Sequence, residues 1–510
     1  MPKRIAHPAL HWADTTPDAP ALATAERGLT YRELRSAIGE ARRLLGEMGV
    51  RSGDRVMIVG ENGIAMVVLI FAISELDAWS VIVNGRLSGR ELAAIETHCR
   101  PRRILYTVDD SADAETHAAQ SGARPLRIGA VASAAAGALA PCDAEPTHAG
   151  GERQVAALIY TSGTTGDPRG VMLTHRNLLY IASVSGKQRG LCAGDRVYGV
   201  LPIAHVFGLA STFLGTIYAG GCLETVPRFD PALVVAALQR GITVLQGVPV
   251  MYARLLEYAE IHGARLAGTR LRYLSAGGAP LDLGLKQRVE RAFGLPLNNG
   301  YGLTECSPTV AQTRMDAPRD DESVGPPLPG LETRIVDEDG RDVETGAVGE
   351  LWVRGPNVMA GYYRDADATA AAITADGWLR SGDLARRDPV DPDGSLFIVG
   401  RRKELIVHSG FNVYPAEVEG VLSLHPEVTV AAVVGKSAAS NEDVFAFVQV
   451  VPGSAVSEAD LKQFAAKRLA PYKVPGRIVR LESLPASSTG KILKKELVKQ
   501  ARGMEPESIP

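Results

Sequence analysis

The sequence predicts an α/β protein built on parallel sheets, followed by a smaller α+β unit. Three observations carry that expectation: buried strands alternate with amphipathic helices, the length of 510 residues exceeds a single ordinary core, and the pattern shortens beyond residue 402. Thr30 to Glu33 forms a capping box. It opens a helix whose apolar positions Leu34, Ala37, Ile38, Ala41, Leu44, Leu45 and Met48 keep helical spacing, with Gly49 as the stop. Gly53 and Asp54 then turn into the strand RVMIVG. The most apolar window, residues 66–83, is interrupted by Glu75 and Asp77 and reads as a buried helix and strand rather than a bilayer span. Residues 120–151, rich in Ala, Gly and Pro, are expected to form a loosely structured connection. Farther on, Asp230 and Pro231 supply an N-cap and first helical position, Gly241 ends that helix, and ITVLQGVP is the next buried strand. Two more helix and strand pairs follow, ending in LPLNNGYG. Such alternation places ligands at the carboxyl ends of parallel strands.

Composition narrows the function classes. Hydrophobic content of 45% with 22% charged residues is globular, and a formal net charge of −3 without a basic run argues against nucleic acid or an anionic membrane as the main partner. A small-molecule substrate is expected. The start MPKRIAHPALHW has no apolar core, so no signal peptide is expected. Cys99, Cys142, Cys192, Cys222 and Cys306 are odd in number and widely spaced, which fits a reducing cytoplasm; Cys222, Cys306 and Tyr218 are assigned to packing.

The stretch LIYTSGTTGDPRG, Leu158 to Gly170, carries the sharpest chemical signal. An apolar run from Val155 to Tyr160 leads into Thr161, Ser162, Gly163, Thr164, Thr165 and Gly166, with Arg169 just beyond. Glycines let backbone N–H groups converge, hydroxyls add donors, and a guanidinium forks onto phosphate oxygens. It is not a P-loop, because Pro168 falls where the second Gly belongs and no Lys follows. By composition alone, an ordinary polar surface connection accounts for it slightly better. The literal string TSGTTGDPRG, however, resembles the TSGTTGxPKG signature of the adenylate-forming superfamily, which includes acyl-CoA synthetases, adenylation domains of peptide synthetases and beetle luciferases. Arg169 stands at the usual lysine, and a planar fork is not equivalent to a point charge. Further strings match in the same order, so the resemblance runs from Leu29 to Leu497.

YGLTE, Tyr301 to Glu305, is one of them. A carboxylate beside a phosphate loop makes sense where a cation lies between them, and Mg²⁺ with few protein ligands suits that place. The resemblance implies that Glu305 holds Mg²⁺, that Thr304 contacts the α-phosphate, and that Tyr301 and Gly302, with Gly277, Gly278 and Ala279, form the adenine site. GWLRSGD and the following Gly400 and Arg401 are similar to the family's ribose site, where Asp383 accepts from vicinal hydroxyls beside Arg401. In LPASSTGKILKKEL, Pro485 and Gly490 stand at the family spacing from Lys491. That implies that Lys491 offsets the charge of the carboxylate and the α-phosphate. Taken singly, each has an ordinary reading: a buried Tyr and core Glu, a surface ion pair, a solvated basic helix. His205, in LPIAHVFG, is similar to the family's gate residue and equally to a core histidine at a helix start.

The same resemblance implies a large N-terminal domain of several subdomains with stacked, mostly parallel sheets (1–402) and a small mobile α+β domain (403–510), hinged at Lys403. It implies ATP, Mg²⁺ and coenzyme A, with Ser409 and Gly410 on the coenzyme A path. The expected acyl lining is Val206, Phe207, Gln246, Met251, Gly277, Gly278, Gly300 and Ser307. No Lys or Arg is among them, which disfavours a second carboxylate and favours an aromatic or medium-chain acid; alternatively, these glycines only satisfy backbone geometry. An acid–coenzyme A ligase is the leading expectation. Loading of a carrier-protein thiol and a non-catalytic AMP-binding protein are the alternatives, and either monomer or homodimer is compatible with the sequence.

Overall fold

The computed structural model describes residues 2–162, 168–438, 441–451, 453–486 and 492–504. Two eight-stranded sheets are built from strands between residues 20 and 362. In the first, the strands Leu297–Gly302, Tyr273–Ala276, Val244–Gly247, Arg196–Gly199, Cys222–Thr225 and Pro20–Ala23 run parallel, as the helix and strand alternation requires. Thr309–Gln312 and Gly28–Thr30 close its two edges antiparallel. In the second, Val155–Ser162, Trp79–Asn84, Arg55–Gly60 and Arg103–Tyr106 are parallel. Pro168–Thr174 and Gly361–Tyr362 extend it antiparallel on one side.

Local sequence explains the helices. Thr30 accepts from the Glu33 amide at 3.3 Å while the Glu33 carboxylate accepts from the Thr30 amide at 2.8 Å, so both halves of the capping box are made. Ile64–Ser74 is apolar on every side and buried throughout, which places it inside the largest core with residues from both sheets. Asp230 caps Pro231–Arg240, and Gly241 ends it in the left-handed region.

Residues 120–151 differ from expectation. Arg124–Ile128 and Ala132–Ala136 form an antiparallel pair that extends the second sheet beyond Arg103–Tyr106. Alanine is a poor strand former, but Ala132, Ala134, Ala135 and Ala136 are buried, and close packing outweighs propensity here. The remainder, though irregular, is held by arginines. Arg55, fully buried, donates to the Cys99 carbonyl at 2.7 Å, the Asp143 carbonyl at 2.8 Å and Glu145 Oε1 at 2.7 Å. Arg102 donates to the Ala140 and Cys142 carbonyls, and Arg103 to that of Gly137. These guanidiniums satisfy carbonyls that a strand partner would otherwise take.

A four-stranded antiparallel sheet follows, in the order Glu332–Val336, Gly349–Arg354, Leu379–Arg387, Leu396–Arg401. Beyond it lies a small α+β domain. Val428–Ala438, Asn441–Val450 and Arg477–Arg480 form its sheet, with Pro415–Ser423, Glu458–Ala466 and Lys494–Arg502 as its helices. Among the described residues no helix is long and apolar enough to cross a membrane. Replacing Arg55 by Met strands the Cys99 and Asp143 carbonyls and removes the cation beside Glu145, so a destabilisation of about 3–5 kcal/mol is expected in urea denaturation; a midpoint within error of wild type would show that the arginine does not hold this segment.

Candidate active site

The site is assembled at the carboxyl end of the strand Leu297–Gly302. This strand leads through Leu303 into a single 3-10 turn, Thr304–Cys306, and returns as Thr309–Gln312. The return is tight. A Cβ on Gly302 would lie 2.3 Å from the Pro308 carbonyl oxygen, so only glycine fits there. Tyr301, Thr304 and Glu305 are thereby fixed on one short turn.

Tyr301 reaches into the four-stranded sheet. Its hydroxyl donates to Asp383 Oδ2 at 2.5 Å, and Arg401, opposite Asp383 in the strand register, places Nε 3.3 Å from Oδ1. Burial first, and then the Asp383 charge, push the Tyr301 phenol well above its ordinary pKa, so it remains a donor. Asp383 is 6% exposed, and its backbone amide donates to Ser381 Oγ at 3.1 Å. The neighbouring Gly382 amide donates to Glu350, which also pairs with Arg402 at 3.2 Å.

Glu305 faces the other way. Its Oε1 accepts from the Tyr362 hydroxyl at 2.8 Å, and its carbonyl accepts from the Met359 amide at 2.9 Å. Arg169 lies over the Tyr362 ring with its guanidinium carbon 5.5 Å from the centroid, and its Nε is 3.9 Å from Asp365. Arg169 itself is opposite Thr161 in the hairpin that carries the Gly-rich loop. One line of contacts thus runs from the base of that hairpin through Tyr362 to Glu305, and a second from Tyr301 to Asp383 and Arg401. Neither Tyr362, Asp365 nor Glu350 was legible in the sequence; two adjacent tyrosines before Arg364 were the only signal.

Gly163, Thr164, Thr165, Gly166 and Lys491 lie outside the described residues, as does the side chain of Ser162. The described part of the loop is a hairpin, because Thr161 pairs with Arg169 in antiparallel register. Gly277 is packed between the Phe207 ring and the Gly300 carbonyl, with a Cβ position 3.2 Å from Phe207, whereas Gly278 and Ala279 are more open. His205 sits before the π-helical stretch Phe207–Leu214, with Nδ1 accepting from the Phe207 amide at 3.3 Å. Val206 and Gln246 are buried, Met251 packs against the core around Tyr252, and Ser307 is buried with its hydroxyl on the Asn357 carbonyl at 2.8 Å. Lys403 lies in the exposed turn Arg402–Glu404, and Ser409 and Gly410 form the turn between Ile406–His408 and Phe411–Val413. Among the described residues no cluster of three or more metal-ligating side chains occurs. A single carboxylate at Glu305 still fits Mg²⁺, which keeps most of its shell as water and substrate phosphate.

Comparison with known proteins is decisive at this point. Residues 10–363 match the model of the AMP-binding enzyme family, and residues 417–491 match that of the AMP-binding enzyme C-terminal domain. The chain belongs to the AMP-binding enzyme family. It is 36% identical to a feruloyl-CoA synthase of Amycolatopsis sp over 491 residues, covering 95% of this chain and 96% of that one. It is 34% identical to the 2-succinylbenzoate–CoA ligase of Geobacillus kaustophilus over 492 residues, with coverage of 94% and 95%. The fold matches ATP-bound MatB from Rhodopseudomonas palustris at a TM-score of 0.86 and 29% identity, over 98% and 99% of the two chains. Within the family the chain is an AMP-forming acyl-CoA synthetase. Gly302→Ala should lower stability by about 1–3 kcal/mol through the clash with Pro308; an unchanged urea midpoint would mean that the turn is not tight.

Proposed function

We propose that the chain is an ATP-dependent carboxylic acid–coenzyme A ligase for an uncharged acid with an apolar body, aromatic or of medium chain length. The observation that carries this reading is the short turn from Tyr301 to Glu305, which puts one side chain on Asp383 and Arg401 and another beside Tyr362 and Arg169. A ribose diol and a triphosphate differ in what they need: acceptors for hydroxyls at one end, cations for phosphates at the other. The two lines of contacts supply both. Asp383 would accept from the ribose hydroxyls, Tyr301 and Gly277 would flank the base, and Arg169 and the hairpin loop would take phosphate oxygens. Glu305 would hold Mg²⁺, which when bound neutralises phosphate charge.

In the first step a carboxylate oxygen of the acid attacks the α-phosphorus and the bond to pyrophosphate breaks, leaving an acyl-adenylate. No general base is needed, since a carboxylic acid of pKa about 4–5 is ionised at pH 7. Lys491 would offset the charge of both anions. In the second step the thiol sulfur of coenzyme A attacks the acyl carbon, AMP leaves, and the thiol proton is lost. Division into 1–402 and 403–510, with rotation at Lys403, would present Lys491 for the first step and the Ser409–Gly410 turn for the second. The acid would lie along Val206, Phe207, Gln246, Gly277 and Gly300, with His205 at its mouth.

Lys491→Ala should reduce AMP-forming activity roughly 100-fold or more while sparing thioester formation from supplied acyl-adenylate; equal loss of both half-reactions would remove the assigned role. A panel of benzoate, cinnamate, C4 to C12 acids, acetate and malonate, assayed for AMP with ATP and Mg²⁺ with and without coenzyme A, tests the whole reading. Multiple turnovers that require coenzyme A are expected, with aromatic or medium-chain acids leading. Acetate or malonate in first place would overturn the acid class, and a coenzyme A-independent single burst would point to a carrier-protein thiol.

A further inference from the structure

One side chain of the proposed acid lining carries polar atoms that the fold leaves unused. Gln246 is fully buried near the end of the strand Val244–Gly247, and among the described residues neither its Nε2 nor its Oε1 has a hydrogen-bond partner. Val244 points into the first core and Leu245 into the second, so strand alternation puts Gln246 on the Val244 face, the face covered by the helix Phe207–Leu214. That face is polar at its base. Tyr273, the register partner of Val244, accepts from Gln312 Nε2 at 3.0 Å, and Gln312 Oε1 accepts from Arg189 Nε and Ser185 Oγ, each at 3.2 Å. Gly300 stands opposite Gln312 in register, leaving its missing side chain as space against Gln312 Cγ, 3.7 Å from the Cβ position.

A buried carboxamide with both ends unpaired costs folding free energy, and beside a proposed substrate pocket a ligand that completes the pairing would recover that cost. A carboxamide offers a donor and an acceptor together. A hydroxyl answers both, whereas a second carboxylate would satisfy the N–H and repel the carbonyl oxygen. Resting on the ligase reading above, we propose that Gln246 determines acid specificity by hydrogen bonding a hydroxyl at the end of the acid remote from its carboxylate. The body of the acid then lies along Phe207, Gly277 and Gly300.

The test compares kcat/KM for matched pairs, cinnamate with 4-hydroxycinnamate and octanoate with 8-hydroxyoctanoate, in wild type, Gln246→Leu and Gln246→Met. The hydroxylated member of at least one pair should lead by about tenfold or more in wild type, and that ratio should fall to near one in either variant. The aromatic and aliphatic pairs separate a phenol from a terminal alcohol. A wild-type ratio near one in both pairs, a ratio that survives both substitutions, or a dicarboxylic acid ahead of every hydroxy acid would overturn the proposal. Ligand-induced thermal shifts with the same acids separate its failure from that of the ligase reading. Shifts that favour the hydroxylated acid and depend on Gln246, without any turnover, would refute the ligase activity alone. Equal or absent shifts, again without turnover, would refute the Gln246 assignment as well.

Discussion

The hydrogen bond from Tyr301 to Asp383 is the constraint on which the site depends. It ties the last parallel strand of the first sheet to the antiparallel sheet that precedes the small domain, two units that also share an apolar core. A carboxylate this buried loses several kcal/mol of hydration and is stable only when donors replace the water. Tyr301 and the half-exposed Arg401 supply them. Because one partner comes from each sheet, the ends of both sheets at the candidate site are held in a fixed relation, which is what preorganisation of an electrostatic site requires.

The second line of contacts works differently. Arg169, Tyr362 and Glu305 are linked by a ring face and a hydroxyl rather than by a direct ion pair. The cation therefore stays near the hairpin and the carboxylate keeps an oxygen for another ligand. A lysine in place of Arg169 would lack the planar face that lies on the Tyr362 ring. The departure from the family string at this position thus has a structural counterpart in an aromatic neighbour.

Much of the fold was legible because its signals are local. The Thr30–Glu33 box, the Asp230–Pro231 start, the Gly241 stop and the buried strands after them each rest on a few adjacent residues, and each is present. What the sequence leaves unread is non-local. Ala132–Ala136 reads as a linker until its antiparallel neighbours are known, and Pro168–Thr174 becomes a strand because Val155–Ser162 turns back on itself. In the site, motif residues carried the resemblance, but Tyr362 and Glu350 come from segments without any motif and matter only through what they touch. The same holds for Gln246, whose unpaired amide is invisible to any reading of residue type alone.

The arginine clamp on residues 137–145 separates two properties that are usually equated, irregularity and looseness. With Arg55, Arg102 and Arg103 occupying its carbonyls, that segment should exchange its amides and resist proteases more like a strand than like a linker. Anyone looking for a place to insert a tag or split the chain would be drawn to it by its composition, and would be cutting into the framework of the second sheet.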